Sequence, residues 1–198
     1  MMEAIRRQTI DDLIQAWAKD ERLELIDGEI VQRPMARFEH GLAQSGLNFQ
    51  VQAQQSTGGK QPGWWIVTEV SVRYNEHQCP SHDLAGWRRE RLPKPLAGVV
   101  TMVPDWVCEI LSPDHERKDL VHNLLLLQRV GVPYYWIISP EDRSLIAYAL
   151  DDGHYKVIFS AQYPKGDMPE RVRIPPFEAG EIDLGAVFGD GGFDVEPA

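Results

Sequence analysis

The chain has 198 residues, 43% of them hydrophobic, with a formal net charge of −10 and a pI near 5.0. That length suits one sizeable core, and the acidic balance argues against a broad, sequence-independent grip on a phosphate backbone. Cys79 and Cys108, the only cysteines, are too few for a disulfide framework or a thiolate zinc cage and are expected as free thiols. No apolar run approaches the ~18 residues of a membrane span, and MMEAIRRQTI lacks the apolar centre of a secretion signal. A soluble, cytoplasmic protein with no membrane partner is expected.

Thr9 followed by Asp11 and Asp12 predicts an N-cap and an acidic first turn for a short helix that buries Leu13, Ile14 and Trp17. RLELIDGEIVQR then alternates around Asp27-Gly28, a strong hairpin signal, with Glu24 and Glu29 flanking the turn. From about Arg37 to Gln55 no proline intervenes, and Phe38, Leu42, Leu47 and Val51 are spaced for one face of a long helix. STGGKQPG ends it, and the β-branched and aromatic WWIVTEVSVRY predicts a strand. Asp83 follows at the start of a short LAGW strand, and RRERLPKPLAG, with its two prolines, reads as a surface connection. Arg88, Arg89, Arg91 and Lys94 there are either a local phosphate-binding patch or a solvated loop.

MVPDWVCEILSP predicts the next strand. Alternation through Asp105, Val107, Glu109 and Leu111 puts Glu109 on one face of a largely buried strand, where an isolated carboxylate is costly. Two arrangements would compensate that charge: a divalent cation shared with a carboxylate of the neighbouring strand, or an ordinary ion pair at a strand end. Asp105 shares the face of Glu109 but lies about 13 Å away at ~3.3 Å per residue, too far to share its ion. Residues from about Glu116 to Val130 predict a second helix with a heavily buried LLLL run, capped by Gly131. YYWIIS is then a continuous apolar strand, completing a parallel βαβ crossover and an αβββαβ order. SLIAYAL and HYKVIF form a hairpin around Asp151-Asp152-Gly153, and the Pro- and Gly-rich tail packs less predictably.

ELIDGEI, EHG, DLAGWRRERLP, PDWVCEILSP, GVPYYWIISP and PFEAGEIDLGAVF, in this order, resemble the Uma-type restriction-endonuclease-like family, long known as domain of unknown function 820. The resemblance spans nearly the whole chain, and that family is similar in fold to the PD-(D/E)xK nucleases. It implies an α/β fold with a restriction-endonuclease-like mixed central sheet flanked by helices, an N-terminal hairpin and a C-terminal β extension. One domain over residues 1–198 is expected, with helix and hairpin in 1–35, the nuclease-like core in 36–140, and a β hairpin and tail in 141–198.

By the same resemblance Asp83 and Glu109 match the aspartate and glutamate that bind Mg2+, with Mn2+ as a substitute, and DNA is the expected partner. A bound cation would lower the pKa of its water and neutralise charge on the scissile phosphate. The chain departs from the pattern at the lysine. Leu111 stands two residues beyond Glu109, and the helical DLxxK pattern reads DLVHN here, with Asn123 in the lysine position. Asparagine orients a water but carries no charge. Lys118 is the nearby cation, though α-helical geometry puts it about 7.5 Å in rise and about 140° around the axis from Asn123. The catalytic set expected is therefore Asp83 and Glu109, with Asn123 or Lys118 near the attacking water. Glu39 and His40 open the first long helix and are expected toward the same cleft; Glu39 and Glu24 are candidates for supporting the metal site from outside its ligands, and Glu39 equally suits compensation of a helix N-terminus.

His40, His82, His115 and His122 lack a zinc spacing and read as surface or hydrogen-bonding residues. Trp64, Trp65, Trp87 and Trp106 read as core or as base-stacking platforms. Two functions stay open: metal-dependent hydrolysis of DNA phosphodiester bonds, or a catalytically degenerate nuclease fold acting as a binding module. Homodimerisation would suit cutting two strands, but no residue specifies it.

Overall fold

The computed structural model describes residues 6–57, 63–112, 118–164, 166–167 and 171–190. Helix α1 (Ile10–Trp17) opens with a capping box in which Thr9 and Asp12 each accept from the other's backbone N–H. Strands β1 (Leu23–Ile26) and β2 (Glu29–Gln32) form the expected hairpin, with Asp27 at φ 51° and Gly28 at φ 81° in the turn. These positive angles suit the tight two-residue turn, and a side chain at Gly28 would also strike Arg7. Ile10 and Leu13 are the buried residues of α1; Ile14 is half exposed, and Trp17 is only partly covered, its Nε1 donating to Leu23 O at 2.8 Å.

The main sheet has six strands in the order β3-β4-β5-β6-β7-β8. These are Trp64–Ser71, Ser81–Arg88, Trp106–Ile110, Tyr134–Ser139, Ser144–Asp151 and His154–Gln162. All neighbours are antiparallel except β5 and β6, the parallel pair of the expected crossover. The C-terminal hairpin thus extends the main sheet, giving the mixed α/β architecture expected from the sequence. Asp83 is the third residue of β4, not its first.

Along β5, Trp106, Cys108 and Ile110 join one core with Ala43, Leu47 and Val51 of α2 (Phe38–Thr57), while Val107 enters a second core with Leu127 and Tyr135. The buried stripe of α2 therefore differs from the expected one: Leu47 and Val51 belong to it, but Phe38 and Leu42 are 80% and 40% exposed, and Ala43 takes the place between. Alanine packs close to the sheet while giving a weak apolar signal in sequence.

The second predicted helix is not uniform. Residues 118–123 form a π turn, and α3 covers Leu124–Val130, ending at Gly131 in the left-handed conformation. The start of the expected helix, residues 116–117, lies outside the described residues, as does His115 before it. Of the LLLL run, Leu126 and Leu127 are buried and Leu125 is 49% exposed.

The C-terminal tail closes the first core. Strands β9 (Arg171–Val172) and β10 (Ile182–Asp183) pair, and α4 (Leu184–Phe188) follows. Phe177 packs its ring against Trp64, Trp106 and Trp136 at centroid distances of 5.1, 4.9 and 5.7 Å. Phe177→Ala should cost about 3–5 kcal/mol in urea unfolding, the usual range for truncating a buried aromatic; a loss below ~1 kcal/mol would remove the tail from the core. Among the described residues no helix is long and apolar enough to cross a membrane.

Candidate active site

The ladder between β4 and β5 runs over Leu84–Gly86 against Cys108–Trp106. Immediately beyond it two carboxylates take over the backbone donors. Glu109 Oε2 accepts the Asp83 N–H at 3.2 Å, and Asp83 Oδ2 accepts the Ile110 N–H at 2.7 Å. Each side chain thus fixes the strand that carries the other, satisfying N–H groups that would otherwise be orphaned at the end of the ladder. Both carboxylates line a cavity of about 660 Å3, with Glu24, Arg33, His40, Glu69, Ser112 and Lys118 also on its wall.

The remaining contacts give each oxygen a separate task. Glu109 Oε1 receives Asn123 Nδ2 at 3.0 Å and lies 2.5 Å from His82 Nδ1. Asp83 Oδ1 lies 3.4 Å from both Arg33 Nη2 and His40 Nε2, long for a direct hydrogen bond. Asp83 Oδ1 and Glu109 Oε2 are therefore the oxygens with capacity for a further ligand.

Electrostatics separates the pair. Burial raises the pKa of Glu109 well above its ordinary value and the Asp83 charge adds to this, while Lys118 pulls the other way. Burial works against ionisation of Asp83 too, but His40, the Ile110 N–H and Arg33 outweigh it and lower its pKa. Burial, followed by the Lys118 charge, pushes His82 down to about 3, so its ring is neutral. Two carboxylates at one cavity wall, one ionised and the other awaiting a compensating charge, fit a hard divalent cation that takes oxygen ligands.

The sign of the Glu109 shift sets a test. The unfolded chain loses this proton near 4.5 and the native state only at higher pH, so metal-free stability falls as pH rises above that value. Glu109→Gln should be increasingly more stable than the wild type from about pH 4.5 upward, as read by urea midpoints. If Glu109 ligates a metal, adding Mn2+ should reverse the order, because binding to the native wild type would stabilise it alone. A difference independent of pH would show that Glu109 is not held against its charge.

Glu24 is buried on β1. Its Oε2 accepts the Ser81 N–H at 3.0 Å, and Lys118 Nζ clasps both of its oxygens at 3.0 and 3.1 Å. Lys118 reaches this wall because its turn is π-helical: bonds running from i to i+5 make residues 118 and 123 the ends of one turn. The 140° offset expected from α geometry does not apply. Asn123 is completely buried against Glu109. Glu39 is exposed in the first turn of α2 and lines a smaller neighbouring cavity.

Sequence reasoning passed over several groups on this wall. Arg33 donates to Ser81 Oγ at 3.0 Å and pairs with Glu69 at 2.5 Å. Glu69 lies opposite Asp83, between the pairs Thr68–Leu84 and Val70–His82, and its backbone is left-handed at φ 53°. That conformation costs a non-glycine residue on the order of 1–3 kcal/mol. Its carboxylate also accepts from Gln44 at 2.7 Å. His40, Glu69 and Asp83 bring potential ligand atoms within 4.8 Å of one another, although Arg33 already pairs closely with Glu69. His40 lines the cavity, as expected from its place at the start of α2, and of the two expected readings His40 and His82 take the hydrogen-bonding one, both being buried; His122 faces Asp27 at 3.3 Å.

Of the basic cluster, Arg88 stacks over Trp64, Arg89 over Trp65, and Arg91 pairs with Asp105 at 2.5 Å. Asp105 also accepts the Arg88 N–H at 2.8 Å, which commits it away from the site. Trp87 and Trp106 are core residues.

A mixed sheet opening at β4 and β5 around paired carboxylates defines a restriction-endonuclease-like α/β protein. The model of the Uma2 family, described as "Putative restriction endonuclease", matches residues 10–177, and the chain belongs to that family. The fold is similar to a crystal structure described as "a putative nuclease belonging to DUF820 from Anabaena variabilis ATCC 29413". The TM-score is 0.69 at 22% identity, over 91% of this chain and 97% of that one. No curated protein matched the sequence.

Proposed function

We propose that the protein is a metal-dependent endonuclease that hydrolyses DNA phosphodiester bonds, with Asp83 and Glu109 holding Mg2+ or Mn2+. The observation that carries this reading is the reciprocal tie of the two carboxylates across β4 and β5 which, with Asn123 and His82 both on Glu109 Oε1, makes Asp83 Oδ1 and Glu109 Oε2, the latter holding one backbone N–H, the oxygens to offer a shared ion. The ion would activate water and neutralise charge on the phosphate. Asp83 and Glu109 would hold it, Asn123 and His82 fix the Glu109 carboxylate, and Lys118 brings a positive charge that acts on Glu109. Glu24 supports Lys118 and the Ser81 backbone. In an acidic wall this ammonium and Arg33 are the groups suited to a phosphate.

A second reading has an observation of its own. Asn123, in the position of the family's lysine, is sealed against Glu109 and offers no charge to the cavity. That favours a nuclease fold retained as a binding module.

Calorimetric titration of the protein with Mg2+ and Mn2+, followed by a supercoiled-plasmid nicking assay, separates the readings. Metal binding with metal-dependent nicking is expected. Binding of plasmid DNA without nicking at any metal concentration would sink the enzyme and leave the binding module.

A further inference from the structure

We propose that His82 is a positioning residue for Glu109, locked by Tyr74 in the tautomer that carries its proton on Nδ1, so that a Tyr74–His82–Glu109 chain holds the carboxylate ready to ligate. This rests on the reading of Glu109 as a metal ligand and adds a residue pair to it. His82 has no exposed surface, and its ring nitrogens reach different partners: Nδ1 lies 2.5 Å from Glu109 Oε1 and Nε2 lies 2.9 Å from Tyr74 Oη. Tyr74 meets the ring edge-on at 5.9 Å and is itself held by its backbone N–H, which donates to Gln78 O at 2.9 Å.

A neutral imidazole has one N–H, so the chain has two possible directions. In one, Tyr74 O–H donates to Nε2 and Nδ1–H donates to an ionised Glu109. In the other, a protonated Glu109 donates to Nδ1 and Nε2–H donates to Tyr74. Only the first leaves Glu109 anionic, with the Tyr74 hydroxyl, 2.9 Å from Nε2, as its donor. The first direction also explains the division of labour on the carboxylate. His82 and Asn123 both donate to Oε1, pinning its rotation and leaving Oε2 toward Asp83.

Groups that orient a ligand in this way typically contribute about 10–100-fold in metal affinity. Long-range 1H–15N spectra of the Mg2+-loaded protein should show the His82 proton on Nδ1; a proton on Nε2 would overturn the proposal. Calorimetry with Mn2+ should show affinity reduced about 10–100-fold in His82→Leu. His82→Asn, whose amide nitrogen occupies nearly the place of Nδ1, should recover most of it. Tyr74→Phe keeps the ring and removes only the hydroxyl, so it tests the chain even where His82→Leu does not fold, and it should weaken binding several-fold. Wild-type affinity in Tyr74→Phe, or His82→Asn as weak as His82→Leu, would overturn the proposal while the metal site stands. A wild type that binds no Mn2+ would overturn both this proposal and the reading beneath it.

Discussion

Asp83→Asn and Glu109→Gln should each lower Mg2+-dependent plasmid nicking by about a thousandfold or more, which corresponds to about 4 kcal/mol of transition-state stabilisation. Both substitutions remove an anionic group from the proposed metal site while preserving shape. Asparagine at 83 can still accept the Ile110 N–H, and glutamine at 109 can still present its one oxygen to Asn123 and His82, at the cost of turning its amide group toward the Asp83 N–H that Glu109 Oε2 accepts. Alanine would leave a buried N–H unsatisfied and confuse loss of function with a stability cost of about 1–3 kcal/mol.

The two variants should part company in stability. The Asp83 pKa is depressed, so its ionisation favours the native state above the ordinary value of 3.8, and that contribution is lost as pH falls through the folded pKa. Asp83→Asn should therefore be less stable than the wild type at neutral pH. Glu109 is shifted the other way, so Glu109→Gln should be more stable. Metal titration and nicking measured beside urea midpoints would show both patterns. Nicking retained within about tenfold in either variant would remove that residue from the catalytic centre.

The parts of this site that were legible in sequence were those whose cost was local. Glu109 announced itself because a carboxylate in an apolar strand needs compensation whatever the tertiary structure. The Asp27-Gly28 hairpin and the βαβ crossover were readable for a similar reason, since turn chemistry and apolar periodicity are properties of short segments. Asp83 and the lysine question came from family resemblance, because spacing alone does not tell which neighbouring carboxylate completes a site.

The rest depended on which surfaces meet. Alpha2 carries two overlapping apolar stripes, and contact with the sheet selects the one through Ala43, leaving Phe38 in solvent. Arg33 reaches Ser81 and Asp83 across 48 and 50 residues of chain, and nothing near Arg33 in sequence signals that contact. Glu69 enters the site through a left-handed residue inside a strand, a conformation that alternation rules do not anticipate. His82 was the most accessible omission. A histidine beside a metal-ligand candidate, on a strand next to Glu109, could have been tested as a carboxylate partner as well as for zinc spacing.

The same distinction decides how Lys118 should behave. An α-helix would have carried its ammonium away from Asn123, whereas the π turn returns it to the wall that holds Glu24 and Glu109. If that geometry compensates for Asn123, Lys118→Met should lower nicking by roughly 100- to 1,000-fold, by analogy with removing one oriented donor from a developing anion, with Mn2+ affinity changed only a few-fold. Asn123→Lys placed on top of Lys118→Met should recover at least about tenfold of the loss, because it restores a charge one turn further along the same wall. Glu24→Gln should act between these limits, since it releases the clasp on the ammonium without removing it. Wild-type nicking by Lys118→Met would exclude Lys118 from catalysis. An increase on adding Asn123→Lys alone, with Lys118→Met silent, would mean that the charge is missing from the native site, and the chain would then be a nuclease fold that has given up turnover at residue 123.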